Sequence, residues 1–529
     1  MDSEPLRLTT DLYRFVLDTG VNIDSLMLEL NNNLSVSTAA RGGIDEFGGE
    51  VYFTNQFVVD LADGSTIGDV AGFMAETGLR VSPEQLGNPD LVIVEFEQGG
   101  WHAYSDLIPA AAALAAIDYF VPVILFQITL LYSPNDTYWS THQFYLHTAK
   151  QNLEGALDFN LADFVVIYFC DDGVVDHEDW PQPFDIVGYD YTDYDSSFSV
   201  DTNTSWHGMA VLGVAYSQLD NDTGLAGYDN EFFGVRLHQI SRMIGNSISW
   251  VTNTVIAASV YGAVNAGADI ISHSWGKTES CWFTHTGIAN AFALAHDSGV
   301  LNVAAAGNCD IPYGSCCIGF PGNLPNVLTV GGLNNSGDRH NESSYGPALD
   351  VMGYFEVITL DQMGDNGPAY KASESAPCVS DNSYNCHSGT SLAAPQAAAI
   401  AGLVLARRPD LKNNPDLLTE ILRYSTDDGG TPCEIDSSFS YSLGYGRLDA
   451  FRALHAVSRG DLDNDAQITI ADVVYLNDYM FTGGPEPVPD LMLADVQCDC
   501  AVDISDLVWL VDHVFLSGPP PVICFKYPD

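Results

Sequence analysis

A continuous apolar run over residues 164–170 constrains the fold more than any other feature of this sequence. A strand exposed on one face alternates apolar and polar residues, whereas a strand without alternation needs cover on both faces. Further apolar runs alternate with helical patterns along the chain, at 207–216, 255–266, 269–274, 287–297 and 300–306. This alternation predicts a doubly wound α/β domain with a parallel sheet. Ligands bind at the carboxyl ends of such strands, so the residues there are the first candidates for a functional site.

The composition limits the classes of function. The chain has 529 residues, enough for two to four domains, and a net charge of −52 from 70 acidic and 18 basic residues. Such a charge excludes nucleic-acid binding as the main function, and it indicates a saline habitat, many bound cations or simply solubility. Eleven cysteines indicate an oxidising compartment, and their odd number leaves at least one free thiol, for which buried Cys170 is the best candidate.

No secretory signal is visible at the start of the chain, although the cysteines favour a secreted or cell-surface protein. The apolar stretch 107–132 has the length of a membrane span, but it contains two prolines and Asp118 and lacks basic flanks. We therefore predict a helix over 110–118 and a buried strand over 121–131, with a membrane span as the alternative.

Four residues have the chemistry and the positions that serine catalysis needs. Asp171 and Asn308 follow two of the predicted strands, and His207 begins a predicted helix. Ser391 lies in Gly-Thr-Ser-Leu-Ala-Ala-Pro (389–395), where a helix can begin with the proline in its first turn. A serine needs an imidazole to accept its proton, the imidazole needs a carboxylate to fix its tautomer, and an amide can stabilise the oxyanion.

Each of these residues also has a structural interpretation. Asp-Gly is a common turn, His207 is one of 13 histidines, and Gly-Asn often ends a strand. Ser391 could cap a buried, alanine-rich helix.

In this order, the motifs resemble the subtilisin family of serine proteases over residues 136–458. The matching segments are Asp171-Asp172-Gly173, His207-Gly208, Ser274-Trp275-Gly276, 304–308, 320–327, 389–395 and 444–450. The resemblance implies that Asp171 orients His207, that His207 is the general base for Ser391, and that Asn308 and the Ser391 N–H form the oxyanion hole. It also implies that the segment Ser274, Trp275 and Gly276 pairs with an extended polypeptide substrate. Asp172 resembles the second carboxylate of the kexin-like branch, which predicts a preference for a basic substrate residue.

Some positions depart from the family pattern. Met209 replaces the usual Thr, Gln396 replaces a frequent His, Met352-Gly353 lacks the usual continuation, and the segment 171–177 is one residue short. The rival hypothesis is therefore a catalytically weak or inactive scaffold that acts as a binding or assembly protein.

Residues 51–133 resemble the small α+β, ferredoxin-like prodomain of many subtilisin-like enzymes. The pattern predicts strands at 51–53, 56–61 and 91–96 and a helix at 67–77. The resemblance implies a segment that assists folding and blocks the active site until the chain cuts itself near 132–136. Residues 1–50 remain unassigned, and residues 134–458 form the predicted peptidase domain.

Residues 459–529 contain two acidic loops 34 residues apart, each followed by an amphipathic helix, at 470–481 and 504–516. Oxygen ligands at positions 1, 3, 5, 7 and 12 of a loop are typical of calcium binding. The candidates are Asp461, Asp463, Asp465, Gln467 and Asp472 in the first loop, and Asp495, Gln497, Asp499, Ala501 and Asp506 in the second. The pair resembles the helical dockerin module, which implies Ca²⁺ binding and a cohesin-like protein partner. Ala466 and Cys500 replace the usual turn glycine, which predicts reduced affinity, and a solvated acidic loop is the alternative.

Overall fold

A computed structural model describes the backbone of five strands within residues 39–126, the helical residues Ala71 and Met74, and most residues from Ser133 to Ile523. The gaps in this last part are 148, 182–185, 200–205, 229–230, 242, 245–246, 249–250, 277–282, 310–315, 365–382, 427–438 and 522. The chain divides between Leu130 and Leu131 into two compact units.

The strands of the first unit are antiparallel. They are β1 (Ala39–Ile44), β2 (Glu50–Leu61), β3 (Leu79–Val81), β4 (Leu91–Phe96) and β5 (Ile117–Phe126), in the order β1-β2-β4-β3 with β5 also paired to β2. The predictions at 51–53 and 56–61 are one continuous strand, and β4 is as predicted.

One helix boundary in the first unit is wrong. Ile117 and Asp118 were predicted to end a helix, but they begin β5, where Ile117 pairs with Leu61. The β-branched and aromatic residues that follow favour the extended chain. The predicted residues 110–116 lie outside the described part, as does most of the predicted helix 67–77.

The second unit is built on seven parallel strands. They are β6 (Val165–Asp171), β7 (Val187–Asp190), β8 (Phe233–Gln239), β11 (Ile270–His273), β12 (Leu301–Ala305), β13 (Leu328–Leu333) and β14 (Val351–Tyr354). Their order is β14-β13-β12-β11-β6-β8-β7. Two antiparallel pairs accompany this sheet: β9 (Met243–Ile244) with β10 (Ser247–Ile248), and β15 (Glu356–Leu360) with β16 (Tyr384–Ser388).

Helices cover both faces of this sheet, which confirms the doubly wound α/β prediction. The α-helices described in the second unit are α1 (Trp139–His142), α2 (Leu153–Ala156), α3 (His207–Tyr216), α4 (Asn253–Asn265), α5 (Thr286–Asp297), α6 (Thr390–Arg407), α7 (Pro415–Tyr424) and α8 (Ala450–Val457), followed by α9 (Ile470–Thr482) and α10 (Ile504–Leu516). Alternate residues of β6 enter two cores: Ile167 and Phe169 pack with α3 and α6, and Tyr168 and Cys170 pack with α4 and α5. Cover on both faces explains why residues 165–170 are continuously apolar, whereas Phe164 precedes the strand and is exposed.

Helix α6 crosses the middle of the sheet, against β6 and β11 to β14. Its small residues allow this close approach, since a Cβ atom at Gly402 would lie 2.9 Å from Ile167 and Phe233. Every residue of α6 except Ser391 is buried. The helix is therefore buried and alanine-rich, as one of the two interpretations predicts, and Ser391 is its one partly exposed residue.

The tail lies in the same compact unit as the sheet. Leu462, Leu476, Leu493 and Leu510 belong to the core cluster that includes α3 and α6. Among the described residues, no helix combines the length and the apolar character that crossing a membrane requires.

Candidate active site

The last residue of β6 meets the first residue of α3. His207 Nδ1 lies 2.7 Å from Asp171 Oδ1, which also accepts the Asp172 N–H at 2.8 Å. The Asp171 side chain is 4% exposed, and the His207 side chain is 32% exposed. The carboxylate is thus shielded, while the imidazole keeps contact with solvent.

The charge around His207 favours the imidazolium. Burial lowers the pKa of His207, but the charge of Asp171, its hydrogen bond and the charge of Asp172 outweigh burial and raise the pKa to about 9. The raised pKa favours the protonated imidazole at neutral pH, and the neutral form that can accept a proton becomes more abundant as the pH rises.

The loop after β6 is fastened to the first turn of α3. Asp172 Oδ1 accepts the Gly208 N–H at 2.6 Å, and the thioether of Met209 accepts the Val175 N–H at 3.3 Å. A Cβ atom at Gly208 would lie 2.2 Å from the Gly173 carbonyl oxygen, so this contact requires glycine. The departure at Met209 is accommodated, because its buried sulfur satisfies a backbone donor of the shortened loop.

Asp172 is 4% exposed, and its Oδ1 accepts a hydrogen bond from the backbone N–H of Gly208 in the first turn of α3. This arrangement favours a role in positioning the start of α3. The predicted contact of Asp172 with a basic substrate residue remains a prediction.

Ser391 and Ser274 are joined by two reciprocal hydrogen bonds. Ser391 Oγ donates to the Ser274 carbonyl oxygen at 2.9 Å, and Ser274 Oγ donates to the Ser391 carbonyl oxygen at 2.7 Å. Pro395 lies beyond the first turn of α6, which corrects the prediction that placed it within that turn. Because Pro395 has no N–H, the Ser391 carbonyl has no donor from that position, and the Ser274 hydroxyl supplies one.

Asn308 is held beside the start of α6. Its Oδ1 accepts the Thr390 N–H and the Thr390 hydroxyl, both at 3.0 Å. Gly389 has φ +148°, and a Cβ atom there would lie 3.2 Å from Asn308 Nδ2. The amide nitrogen therefore points toward the backbone that precedes Ser391, and the Ser391 N–H lies in the first turn, where helical N–H groups lack intrahelical partners.

The sheet register explains why these residues share one edge. Cys170 pairs with His273, and His273 pairs with Ala304, so Asp171 and Ser274 follow neighbouring strands in register. Asp171 contacts His207, and Ser274 contacts Ser391. Among the described residues, the hydroxyl of Ser391 bonds to Ser274 and not to His207, so attack requires a rotation of the serine side chain.

The predicted substrate segment follows β11 directly. Ser274 is buried against Ser391, Trp275 is partly buried, and Gly276 is exposed, with a would-be Cβ atom 3.0 Å from the Phe320 carbonyl oxygen. The structure thus places this segment beside Ser391, and its pairing with substrate remains a prediction.

Sequence reasoning missed two aromatic residues near the site. The rings of Trp206 and His387 stack, with centroids 4.3 Å apart, and Trp206 also contacts the ring of His207. A disulfide joins Cys309, the neighbour of Asn308, to Cys316. Trp206 and His387 are far apart in the sequence, so only the fold shows that their rings stack.

A second pair of carboxylates was also missed. Asp136 accepts the N–H groups of Asp220 and Asn221, and Asp179 accepts from Leu225 N and Asn221 Nδ2. Burial raises the pKa of Asp179 to about 8, despite these hydrogen bonds. The pair fixes the loop 219–225 against the start of the second unit.

In the tail, the structure brings together part of the first predicted loop. Ligand atoms of Asp461, Asp463 and Asp472 lie within 4.8 Å of one another. Asp463 Oδ1 is buried and has no hydrogen-bond partner, as expected for an oxygen that would bind a cation. Asp465 Oδ1 instead accepts the N–H of Gln467, the remaining candidate.

The second loop repeats the backbone geometry of the first. Asp472 accepts the N–H groups of Leu462 and Thr469, and Asp506 accepts those of Val496 and Asp503. Within the described residues, Asp495, Asp499 and Asp506 do not converge as closely as the first set. That Gln497 and Ala501 contribute ligands to a cation in the second loop remains a prediction.

The sequence matches the Subtilase family over residues 16–446. Subtilisin DY of Bacillus licheniformis is 30% identical over 216 residues, which are 41% of this chain and 69% of that protein. The halolysin-like extracellular serine protease Nep of Natrialba magadii is 31% identical over 306 residues, 56% of this chain and 49% of that protein. The calcium-dependent protease of a Nostoc species is 26% identical over 367 residues, 62% of this chain and 52% of that protein.

The fold, the arrangement at the strand ends and these similarities define a subtilisin-like protease scaffold. The chain belongs to the subtilase family.

Proposed function

We propose that this protein is a serine endopeptidase that hydrolyses peptide bonds through Asp171, His207 and Ser391. The observation that carries the proposal is the contact of 2.7 Å between His207 Nδ1 and Asp171 Oδ1, at the sheet edge where Ser391 is the only residue of α6 that is not buried. The contact between His207 and Asp171, and the partial exposure of Ser391 in an otherwise buried helix, support the proposed Asp-His-Ser chemistry.

In the proposed reaction, Ser391 Oγ leaves the Ser274 carbonyl and gives its proton to His207 Nε2 while it attacks the substrate carbonyl carbon. Nδ1–H of His207 donates to Asp171, which stabilises the imidazolium that forms. Asn308 Nδ2 and the Ser391 N–H donate to the oxyanion. His207 then protonates the leaving amine, and water releases the acyl group from Ser391 by the same steps.

The first test is covalent labelling of the full chain with an alkyl fluorophosphonate. Attack by Ser391 Oγ breaks the P–F bond, and the peptide that contains Ser391 gains the mass of the phosphonyl group. The rate should rise with pH and be half-maximal near pH 9, since the neutral imidazole accumulates as the pH passes the pKa of His207.

Ser391→Ala is the control, because it removes the nucleophile and leaves a small side chain in a buried helix. Absence of labelling in the folded wild-type chain, with calcium and high salt present, would support the inactive-scaffold alternative.

We propose Ca²⁺ as the cation of the tail. Asp461, Asp463 and Asp472 would hold it, and the buried, unpartnered Asp463 Oδ1 supports this assignment. Carboxylates are the hard ligands that Ca²⁺ prefers, and its charge would offset clustered negative groups. The name of the calcium-dependent protease of Nostoc adds support. We propose a second, weaker site at the second loop.

A secreted or cell-surface location is part of the proposal. The Cys309–Cys316 disulfide supports it, as does the extracellular location in the name of the relative from Natrialba magadii. The prodomain role of residues 51–133 also remains a proposal.

The tail is also proposed to bind a cohesin-like protein. Equivalent apolar residues of the two repeats are exposed: Ile470 and Ile504, Val474 and Val508, Phe481 and Phe515. Exposed apolar faces of this kind mark interaction sites. We expect the chain and a cohesin-like protein to elute together in size-exclusion chromatography when calcium is present. Separate elution of the two proteins under these conditions would contradict the assignment.

A further inference from the structure

The end of α6 is fastened to the first acidic loop of the tail by a buried arginine. Arg407 is the last residue of α6, its side chain is 1% exposed, and its guanidinium contacts Asp461 Oδ2. It also donates to Asn464 Oδ1 at 2.9 Å and to Ser458 Oγ at 3.0 Å. A buried cation of this kind needs all its partners, because losing one leaves an uncompensated charge.

Asn464, in the first tail loop, adds hydrogen bonds between the tail and the peptidase part of the chain; we call this set of contacts the junction. Its Nδ2 donates to the Asp158 carbonyl at 2.8 Å, and its own carbonyl accepts from Asn160 Nδ2 at 2.8 Å. It has φ +61°, a left-handed conformation that Asn tolerates better than most residues. Both polar ends of Asn464 are therefore used to bind the peptidase part of the chain.

The two repeats differ at this position. The residue 34 positions after Asn464 is Cys498, which has nearly the same conformation, φ +60°, and is disulfide-bonded. The two loops thus share a backbone, but the first has the residue type that bonds to the peptidase part. This difference indicates that the first loop is specialised for the junction.

Asp461 takes part in both the junction and the acidic cluster. Its Oδ2 contacts Arg407, its Oδ1 accepts the Asp465 N–H at 3.1 Å, and the carboxylate converges with Asp463 and Asp472. A cation bound by the acidic cluster would hold the Asp461 carboxylate in place, and this carboxylate in turn holds Arg407. Ligands that bind only the folded state stabilise every part that unfolds with their site.

We propose that cation binding at the first tail loop stabilises α6, the helix that carries Ser391, through the contact between Asp461 and Arg407. In this proposal the tail stabilises the peptidase part of the chain and is not a freely tethered module. This inference rests on the calcium binding proposed above and is independent of whether the protein cleaves peptides.

Hydrogen exchange read by mass spectrometry tests the coupling in the full chain carrying Ser391→Ala, which prevents any self-cleavage. Peptides from the tail loops and from 396–407 are compared in calcium and in a chelator. We expect calcium to slow exchange roughly tenfold or more in the first loop and in the C-terminal half of α6.

A matched pair of variants assigns the response to one loop. Asp472 and Asp506 are equivalent, and each accepts two backbone N–H groups, of Leu462 and Thr469 in the first loop and of Val496 and Asp503 in the second. Asn removes the charge and keeps one of the two acceptor oxygens. Asp472→Asn should abolish the response of α6, whereas Asp506→Asn should leave it in place.

Two results would overturn the coupling: a calcium response confined to the tail, or a response of α6 that survives Asp472→Asn. If neither loop responds to calcium, the proposed calcium site fails as well. These results are distinguishable, since the loop peptides report binding and the helix peptides report coupling.

Discussion

Asp171→Asn should lower the rate of Ser391 labelling by about 10⁴-fold. The carboxylate accepts from His207 Nδ1 at 2.7 Å and is the main influence that raises the pKa of this imidazole. An amide can present an N–H to Nδ1, which favours the tautomer with the proton on Nε2 and removes the base that Ser391 needs. The loss should persist at pH 9 and above, because a wrong tautomer is not corrected by deprotonation. Rates of labelling across pH 6 to 10 measure both effects.

Asp172→Asn is the matched control for this substitution. It makes the same chemical change one residue later, but its amide oxygen can still accept the Gly208 N–H that Asp172 accepts at 2.6 Å. We expect a loss of about tenfold or less, which corresponds to weakening one charge-assisted hydrogen bond. Equal losses in both variants would contradict the assigned role of Asp171.

The same control tests the predicted preference for basic residues. A peptide library cleaved by the wild type and by Asp172→Asn should show enrichment of Lys or Arg in the wild type alone if this carboxylate faces the substrate. An unchanged profile with a lower rate would identify Asp172 as a positioning residue only. The net charge of −52 attracts all basic peptides, so enrichment must be compared between the two proteins.

Ser391→Ala should leave one uncut chain under conditions in which the wild type separates near residues 132–136. Ser133 and Asn135 are exposed, which makes this joint accessible. The Asn135 N–H donates to Asp220 Oδ1 at 3.0 Å, so the new end should remain attached to the second unit after cleavage. Intact-mass measurement of both proteins, with calcium and high salt, gives the result.

The possible results distinguish self-cleavage from cleavage by another protease. A wild-type chain that stays whole and resists the fluorophosphonate contradicts the protease proposal. An Ala variant that is cut at the same joint shows that another protease performs the processing.

The strongest patterns in the sequence predicted their elements well. The α3 and α10 boundaries agree with the predictions, and β6 is displaced by one residue at each end. The apolar run in β6 and the apolar residues of α3 reflect burial that is nearly continuous along these two elements. The residues of the candidate site could be selected because they adjoin these segments.

Other strands could not be predicted, because their residues depend on distant neighbours. Strand β13 contains Gly331 and Gly332, which weaken a strand signal, and a Cβ atom at either would lie 2.4 to 2.6 Å from Phe355 or Met352. Strand β8 contains His238, whose Nδ1 bonds to the Ser259 carbonyl at 2.9 Å. Ser274 likewise could not be selected from its neighbours, because its hydroxyl bonds to the Ser391 carbonyl only where Pro395 lacks an N–H. Pairwise contacts of this kind leave no local periodicity.

The order of strands in the parallel sheet has a consequence for the timing of activity during biosynthesis. Asp171 and His207 are 36 residues apart, and Ser274 and Ser391 are 117 residues apart, so the site forms only when distant segments have met. Parallel pairing of distant segments is slow compared with helix formation. A nascent chain that has emerged only as far as β12 contains Asp171 and His207 but not Ser391. If the chain is the peptidase proposed above, it gains its nucleophile only after most of the parallel sheet has been synthesised.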